Sequence, residues 1–346
     1  MRIVILSTLP DQQQTGPSIV AFNVLQKLKN SNNSVHSFQY FNDGKEFSFF
    51  QKLFGNKNIS GSNYVGIFTL LIKLISIKPK VIHILTFERV WLAAVFYKIF
   101  FRCKLIFTVH GCVLHEHLNY RDNIPSFLFL KDKFCEWFYI NFADKLHFVS
   151  NKIYNISTHY YKIDKSKVEI IPNGIEYLHP LKKKNKNYNI IFASNISRIE
   201  KGFQFLKSAL EISKTKINLF LMSDQLSKIS FNNKNIKVRY FSEMERTKFL
   251  KLLSNASILV APSITDSYSM VAQEALLLNL KVIISDNCGI TEFVKDPNLY
   301  KVEYGDVLKL TDLIETLLNS ESKNSSNLKL PDWDFVANRL IETYKT

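Results

Sequence analysis

Short apolar runs alternate with segments of helical periodicity along almost all of this 346-residue chain, and no other feature narrows its possible folds so far. A run such as Ile3-Val4-Ile5-Leu6, closed by a polar loop and followed by apolar residues three and four apart, makes one βα unit. Units of that kind in series build parallel sheets covered by helices. Strands are expected at 2–7, 35–40 (the weakest), 81–85, 104–109, 145–149 and 168–171. A second set is expected at 189–193, 217–222, 236–241, 258–261, 281–285 and 299–302. The lysine-rich stretch 181–189 between the sets reads as a linker, and 320–327 reads as a polar connection. A last helix is expected at 333–344, after Pro331 and with Asp332 as its cap. The expected organisation is two doubly wound α/β domains, 1–180 and 181–330, with a closing segment 331–346. At roughly 150 residues per domain the length agrees, and an apolar content of 46% supplies a core for each half. In such sheets ligands bind beyond the carboxyl ends of the strands.

A formal charge of +15 favours polyanionic partners: nucleotide phosphates, an acidic membrane surface or nucleic acid. A general excess of lysine would give the same charge without a dedicated binding face. No nucleic-acid reader motif occurs, so no nucleic-acid partner is expected. Cys103, Cys112, Cys135 and Cys288 lack Cys-x-x-Cys spacing and read as reduced thiols of a cytosolic protein. The opening run 1–9 is too short for a signal peptide and reads as the first strand. The longest apolar stretches, 65–77 and 91–103, are cut by Lys73 and by Lys98 and Arg102, short of the roughly 20 apolar residues a spanning helix needs. Aromatic and basic residues interleave at 47–57 and 96–104, the composition of interfacial helices. Core-packed helices with snorkelling lysines have the same composition.

Two carboxylates, Asp266 and Glu274, stand eight positions apart. The apolar run 257–261 suits a buried strand and 270–278 has helical spacing, so Asp266 falls in the strand-to-helix loop and Glu274 about two turns into the helix. Both then sit at the carboxyl end of a sheet. Arg198-Ile-Glu-Lys201-Gly202 likewise follows an apolar strand, 188–194, and precedes a helix. A forked guanidinium and a point charge three positions apart suit a phosphate, whereas either one alone could be a solvated surface cation. Further short elements are Thr15-Gly16-Pro17-Ser18 at the first strand-to-helix turn, Thr108-Val109-His110-Gly111, and Ile171-Pro172-Asn173-Gly174-Ile175. Cys112, His115, Glu116 and His117 do not have a ligand spacing, and the two histidines diverge on a helix, so no metal site is expected.

In order and spacing these elements resemble those of the family 4 retaining glycosyltransferases, which have the GT-B fold. The resemblance covers nearly the whole chain. It implies two Rossmann-like domains facing a central cleft, the acceptor-side one at 1–180 and the donor-binding one at 181–330, with 331–346 packing back on the first. It implies that Asp266 contacts the donor sugar and Glu274 the nucleotide ribose, and that Arg198 and Lys201 bind the diphosphate. Gly16 would bring backbone against the donor diphosphate or an acceptor phosphate, and His110 would lie near the reacting carbon. The helix opening near Ser267, Tyr268 and Ser269 would add backbone donors and the positive end of its dipole.

The implied activity is retaining transfer of a sugar from a nucleoside diphosphate sugar, of UDP or GDP type, to a hydroxyl on a glycan or lipid-linked acceptor. No cofactor and no metal are implied. The implied location is cytoplasmic, peripheral at an anionic inner membrane face. The chain departs from the family at Asp266 (usually Glu), at Ser197 (usually Gly), at Ser267-Tyr268-Ser269 (usually Gly-Phe-Gly), and at Asn279 and Lys281 (usually Gly and Pro). Aspartate shortens the reach to a sugar hydroxyl by about 1.5 Å, and a side chain at Ser269 limits close approach of backbone to phosphate. Two alternatives follow: a non-catalytic GT-B scaffold or partner subunit, and a nucleotide-sugar epimerase.

Overall fold

The computed structural model describes residues 1–8, 16–40, 48–59, 62–121, 125–176, 189–222, 229–241, 244–323 and 328–346. Thr15, Phe47, nearly all of the expected linker and part of the connection at 320–327 lie outside them. The chain divides into two compact units, Met1–Gly174 with Pro331–Thr346, and Ile175–Leu330. The boundary expected at 180 falls among the residues not described.

In the first unit the strands are β1 (Arg2–Leu6), β2 (Ser34–Tyr40), β3 (Asn56–Ile59), β4 (Ser62–Val65), β5 (Val81–Ile84), β6 (Lys104–Val109), β7 (Lys145–Phe148) and β8 (Val168–Ile170). The helices are α1 (Gly16–Lys29), α2 (Phe49–Phe54), α3 (Ile67–Ile77), α4 (Leu92–Phe100), α5 (Val113–Tyr120), α6 (Ser126–Phe142) and α7 (Asn151–Thr158). One sheet results, in the order β3-β4-β2-β1-β5-β6-β7-β8. Only the β3–β4 pair is antiparallel. Central parallel strands are buried on both faces and so read as unbroken apolar runs; Ile3 to Leu6 are wholly shielded. The polar sequences of β3 and β4 carry no such mark. The segment 47–57, expected as an interfacial helix, is helical only over α2, after which Gly55 takes an extended backbone and the chain enters β3.

The second unit contains β9 (Asn189–Ala193), β10 (Ile217–Met222), β11 (Ile236–Phe241), β12 (Ile258–Ala261), β13 (Lys281–Ser285) and β14 (Leu299–Val302), with α8 (Phe203–Ile212), α9 (Arg246–Ser254), α10 (Met270–Leu277) and α11 (Val307–Asn319). All pairs in its sheet are parallel, in the order β11-β10-β9-β12-β13-β14. The order reverses between β9 and β12, which makes their carboxyl ends the switch point where such sheets bind ligands. Phe192, Leu206, Leu219, Val260 and Ile314 belong to its buried core. Lys281 is buried as well, and its ammonium donates to the carbonyls of Leu317 and Ser320 at the end of α11. A cation at a helix C-terminus satisfies orphan carbonyls and complements the dipole, which accounts for lysine at this position.

A buried chain of hydrogen bonds runs across the first sheet. His147 on β7 has Nε2 at 2.8 Å from the Ile171 carbonyl. A carbonyl can only accept, so that nitrogen carries the proton; burial keeps the ring neutral, and Nδ1 therefore accepts from the Thr108 hydroxyl at 3.0 Å. Thr108 Oγ1 then accepts from His83 Nε2 at 2.7 Å, which leaves His83 Nδ1 to accept from the Tyr344 hydroxyl at 2.7 Å. This is the one arrangement open to two neutral rings. Burial, aided for His83 by the neighbouring His147, pushes the His83 imidazole well below its usual value, and burial pushes His147 down to about 4. Tyr344 lies on α12 (Trp333–Lys345), whose first turn is capped by Asp332 accepting from the Phe335 amide at 2.7 Å. α12 packs on α1. Gly174 admits the Trp333 ring, since a Cβ there would stand 2.7 Å from it.

Tyr344→Phe removes the terminal donor of this chain and strands a buried acceptor, so equilibrium denaturation should show a loss of about 1–3 kcal/mol. His147 resists protonation only when folded. Its contribution is thus present above the unfolded value near 6.5 and is lost as pH falls toward about 4. Wild-type stability should fall more steeply across that window than that of His147→Gln, by up to about 1.4 kcal/mol per pH unit.

Candidate active site

Two strand-to-helix loops of the second unit meet at the carboxyl ends of β9 and β12. After β9, Asn195 accepts from the Ser197 amide at 2.9 Å, and a short 3-10 turn over Ile199–Lys201 ends at Gly202. Gly202 has φ +72°, and a Cβ there would lie 2.0 Å from the Pro262 carbonyl oxygen. Only glycine permits both the conformation and the approach. The Ile264 amide donates to the Glu200 carbonyl at 2.8 Å, which fastens the two loops together. Lys201 Nζ consequently lies 3.1 Å from Asp266 Oδ2, with both side chains largely buried.

The Asp266 loop is pinned from its other side. The Gly289 amide donates to the Asp266 carbonyl and the Ile290 amide to the Tyr268 carbonyl, each at 2.9 Å. Asp266 also forms a parallel bridge with Cys288. Ser269 caps α10 with φ +74°, in the left-handed region that disfavours a side chain, and its buried Oγ has no hydrogen-bond partner among the described residues. Asn279, after the same helix, has φ +56°. Both stand where the resemblance expects glycine, and both keep the backbone that glycine would adopt.

Glu274 lies in the second turn of α10, nearer its start than expected, because the helix opens only at Met270. Its side chain is 2% exposed, and Arg246 Nη2, at the start of α9, donates to Oε1 at 2.5 Å. Burial raises the Glu274 carboxyl above its ordinary value, while Arg246 acts against that rise. Arg198 pairs with the buried carboxylate of Glu200. Each candidate cation of the site is therefore held beside a carboxylate. Neither Arg246 nor Glu200 stands out in sequence: Arg246 lies outside every motif, at the opening of a helix that also carries lysines, and Glu200 lies between the two cations Arg198 and Lys201 that draw the eye.

The remaining expected residues lie as follows. The Tyr268 side chain is 1% exposed and its hydroxyl accepts from Gln273, so the side chain belongs to the core of the loop and only the backbone of this residue is placed to meet a ligand. The Tyr268 amide is directed at Asp266 Oδ1, at 3.4 Å. Ser267 is half-buried. Gly16 opens α1 in the first unit, and among the described residues no atom lies within 4 Å of where its Cβ would stand. His110, at the end of β6, is half-buried, but its Nε2 is sealed and has no partner among the described residues. Burial, with a smaller push from His147, lowers His110 to about 3 against the opposing bond to the Leu85 backbone. Cys112 lies against Glu136, whose carboxylate accepts from the amides of Val113 and Leu114 at the start of α5. His115 bonds Tyr160 and His117 faces Asp132. Among the described residues no group of three or more His, Cys, Asp or Glu converges as a metal site would.

Residues 15–177 match the family model described as Glycosyltransferase Family 4, and residues 176–329 match the one described as Glycosyl transferases group 1. The chain belongs to the family 4 type of glycosyltransferases. An uncharacterized 41.2 kDa protein in the cps region of Klebsiella pneumoniae is 23% identical over 146 residues, 39% of this chain and 40% of that protein. Among solved structures, the sucrose-phosphate synthase of Thermosynechococcus elongatus is similar with a TM-score of 0.75 at 14% identity, over 99% of this chain and 98% of that one. HepE of Anabaena, solved in complex with UDP, is similar with a TM-score of 0.67 at 14% identity, over the whole of both chains. Likeness at that identity shows the fold, which is GT-B.

In this glycosyltransferase Gly202→Ala should cost more than about 2 kcal/mol in denaturation, because strain and a backbone clash act together. Arg246→Ala leaves a buried carboxylate uncompensated and should cost about 2 kcal/mol, below the 3–5 of a fully buried pair because Arg246 keeps contact with water. A carboxyl raised by folding loses its stabilising contribution as pH rises, so the deficit of Arg246→Ala should be largest above neutral pH and should shrink toward pH 5. Melting curves across that range check the sign.

Proposed function

We propose that this glycosyltransferase moves a sugar, with retention at the anomeric carbon, from a nucleoside diphosphate sugar of UDP or GDP type to a hydroxyl of a glycan or lipid-linked acceptor. The observation that carries the reading is the Lys201–Asp266 pair at the sheet's switch point, 3.1 Å apart, with Glu274 in the helix that follows. The complex of HepE with UDP supports a uridine nucleotide as the first donor to try.

Cleavage of the bond between the sugar and the diphosphate places negative charge on the leaving phosphate. Fixed positive groups there lower the barrier. Lys201 and Arg198 serve that role, exchanging their resting carboxylates for phosphate oxygens. Asp266, released from Lys201, is then free to accept from a sugar hydroxyl. Arg246 holds Oε1 of Glu274, and the second oxygen accepts from the ribose. His110, lowered to about 3, is neutral near pH 7 and too weak a base to take the acceptor proton. That proton passes to the departing phosphate as the acceptor oxygen attacks from the same face. No step in this account needs a divalent metal.

Transfer assays with a panel of nucleotide sugars test the reading. Arg198→Ala and Lys201→Ala should each lower kcat/KM about 30-fold or more, equivalent to about 2 kcal/mol, and chelator should leave turnover unchanged. Glu274→Gln should weaken binding of bare nucleoside diphosphate in calorimetry, whereas Asp266→Ala should spare that binding and impair transfer. Near-normal turnover in both cation variants would sink the proposal. A wild-type chain that neither transfers nor hydrolyses any donor points to a scaffold, and acceptor-free conversion of one donor sugar into another points to an epimerase.

A further inference from the structure

The first unit carries a second surface that the transfer reaction does not use. Right-handed crossovers put α3, α4 and α6 on one face of its sheet and α1, with α12, on the other. α2, α3, α4 and α6 pack in series. Most of the exposed large hydrophobic side chains among the described residues lie on these four helices. On α6 they form an outward stripe, Phe127, Leu130, Phe134 and Trp137, at the three- and four-residue spacing of one helix face. Ile72 on α3 is 66% exposed and Phe100 on α4 78%, so neighbouring helices continue the stripe. Phe54 of α2 stacks on Phe68 of α3 with ring centroids 5.0 Å apart. Apolar area of this extent on a globular unit marks an interaction surface.

Charge decides what covers it. The four helices contain two carboxylates, Asp132 and Glu136, and both are buried, one bound to Arg89 and the other capping α5. Lys131 and Lys133 stay exposed on α6, the first with its ammonium 3.9 Å from the Phe127 ring centre. The outer face thus offers apolar, neutral polar and cationic groups, with no exposed acid. At its edge, by the amino ends of β5, β6 and β7, lies a cleft of about 690 Å³ lined by Lys80, Lys98, Arg102, Lys104 and Lys145, with Asp144 and Thr346 also on its wall. Lys98 pairs with Asp144, Lys145 with Glu169 at 3.3 Å, and Lys104 donates to the carbonyls that end α12, so Lys80 and Arg102 are the exposed cations offered to a ligand. Burial, with smaller contributions from Lys145 and Lys98, pushes the Lys104 ammonium down against the opposing pull of Asp144. Phe101, itself exposed, lines this cleft and continues the apolar face.

We infer that this face docks on a bilayer containing acidic phospholipid, with the aromatic stripe in the interfacial layer and the exposed cations of the cleft taking acidic headgroups. A second copy of the chain fits poorly. A twofold contact sets a surface against itself, lysine toward lysine, with no acid to compensate. No helix among the described residues is long and apolar enough to cross a membrane, so the contact is one of surface insertion. It does not depend on the identity of the donor or on the ribose and phosphate roles proposed above.

Co-sedimentation of the full chain with vesicles tests the inference. Vesicles of phosphatidylcholine and phosphatidylglycerol in equal parts should retain the protein and vesicles of phosphatidylcholine alone should not. Retention should fall as the Debye length shortens from about 10 Å at 0.1 M salt to about 3 Å at 1 M. The pair Leu130→Glu with Phe134→Glu, and separately Lys80→Glu with Arg102→Glu, should each weaken binding about tenfold or more. All four positions are exposed, and an unchanged melting temperature and circular dichroism spectrum show that the variants are folded. Equal retention on neutral vesicles, or full retention by both variant pairs, overturns the inference. So does a wild-type dimer in sedimentation velocity that Leu130→Glu with Phe134→Glu converts to monomer, since a second copy then covers the face.

Discussion

The approach of Gly202 to the Pro262 carbonyl holds the candidate site together. Two loops that leave adjacent strands can be fixed at van der Waals distance only if one of them lacks a side chain at the point of contact. With that contact made, the Glu200 carbonyl meets the Ile264 amide, and Lys201 is carried to Asp266. The register of β9 against β12 sets the height of both loops. The ion pair is thus a consequence of sheet geometry, and its precision is inherited from the most buried part of the unit.

Pairing within the site also limits the cost of keeping cations in a partly enclosed place before any ligand arrives. An unpaired ammonium there would be pushed toward neutrality by desolvation. Lys201, Arg198 and Arg246 each face a carboxylate instead. An anionic ligand then enters by exchange, displacing one acceptor for another, and the net gain depends on how well its phosphates reproduce the geometry they replace. Of the three carboxylates, Glu274 is the most shielded, so its pairing with Arg246 has the least competition from water.

The parallel strands were legible because each is sheltered on both sides and must be apolar along its length. Segments such as 104–109 and 281–285 coincide with β6 and β13 end to end. β3 and β4 were not legible, since an antiparallel pair at the sheet's edge has no such requirement and its residues are mostly polar. Within the site, Arg198, Lys201, Asp266 and Glu274 could be singled out because charge at fixed distances from a strand end is visible in one dimension. Arg246 could not, because its partner is 28 positions away and only folding brings them together. Ser269 and Asn279 show a different limit. Their identities suggest a lost glycine conformation, yet the fold imposes the positive φ regardless.

The hydrogen bonds from Tyr344 through His83, Thr108 and His147 to Ile171 have one permitted direction, fixed by a carbonyl that cannot donate and by burial that keeps both rings neutral. A chain with a single proton arrangement has no spare configuration to lose on folding and none to adopt if one end is removed. The last turn of α12 is therefore an interior part of the sheet that happens to arrive late in the sequence. Trimming the chain back past Tyr344, a routine step when tails are tidied for expression, would act as a mutation in the middle of β5, β6 and β7.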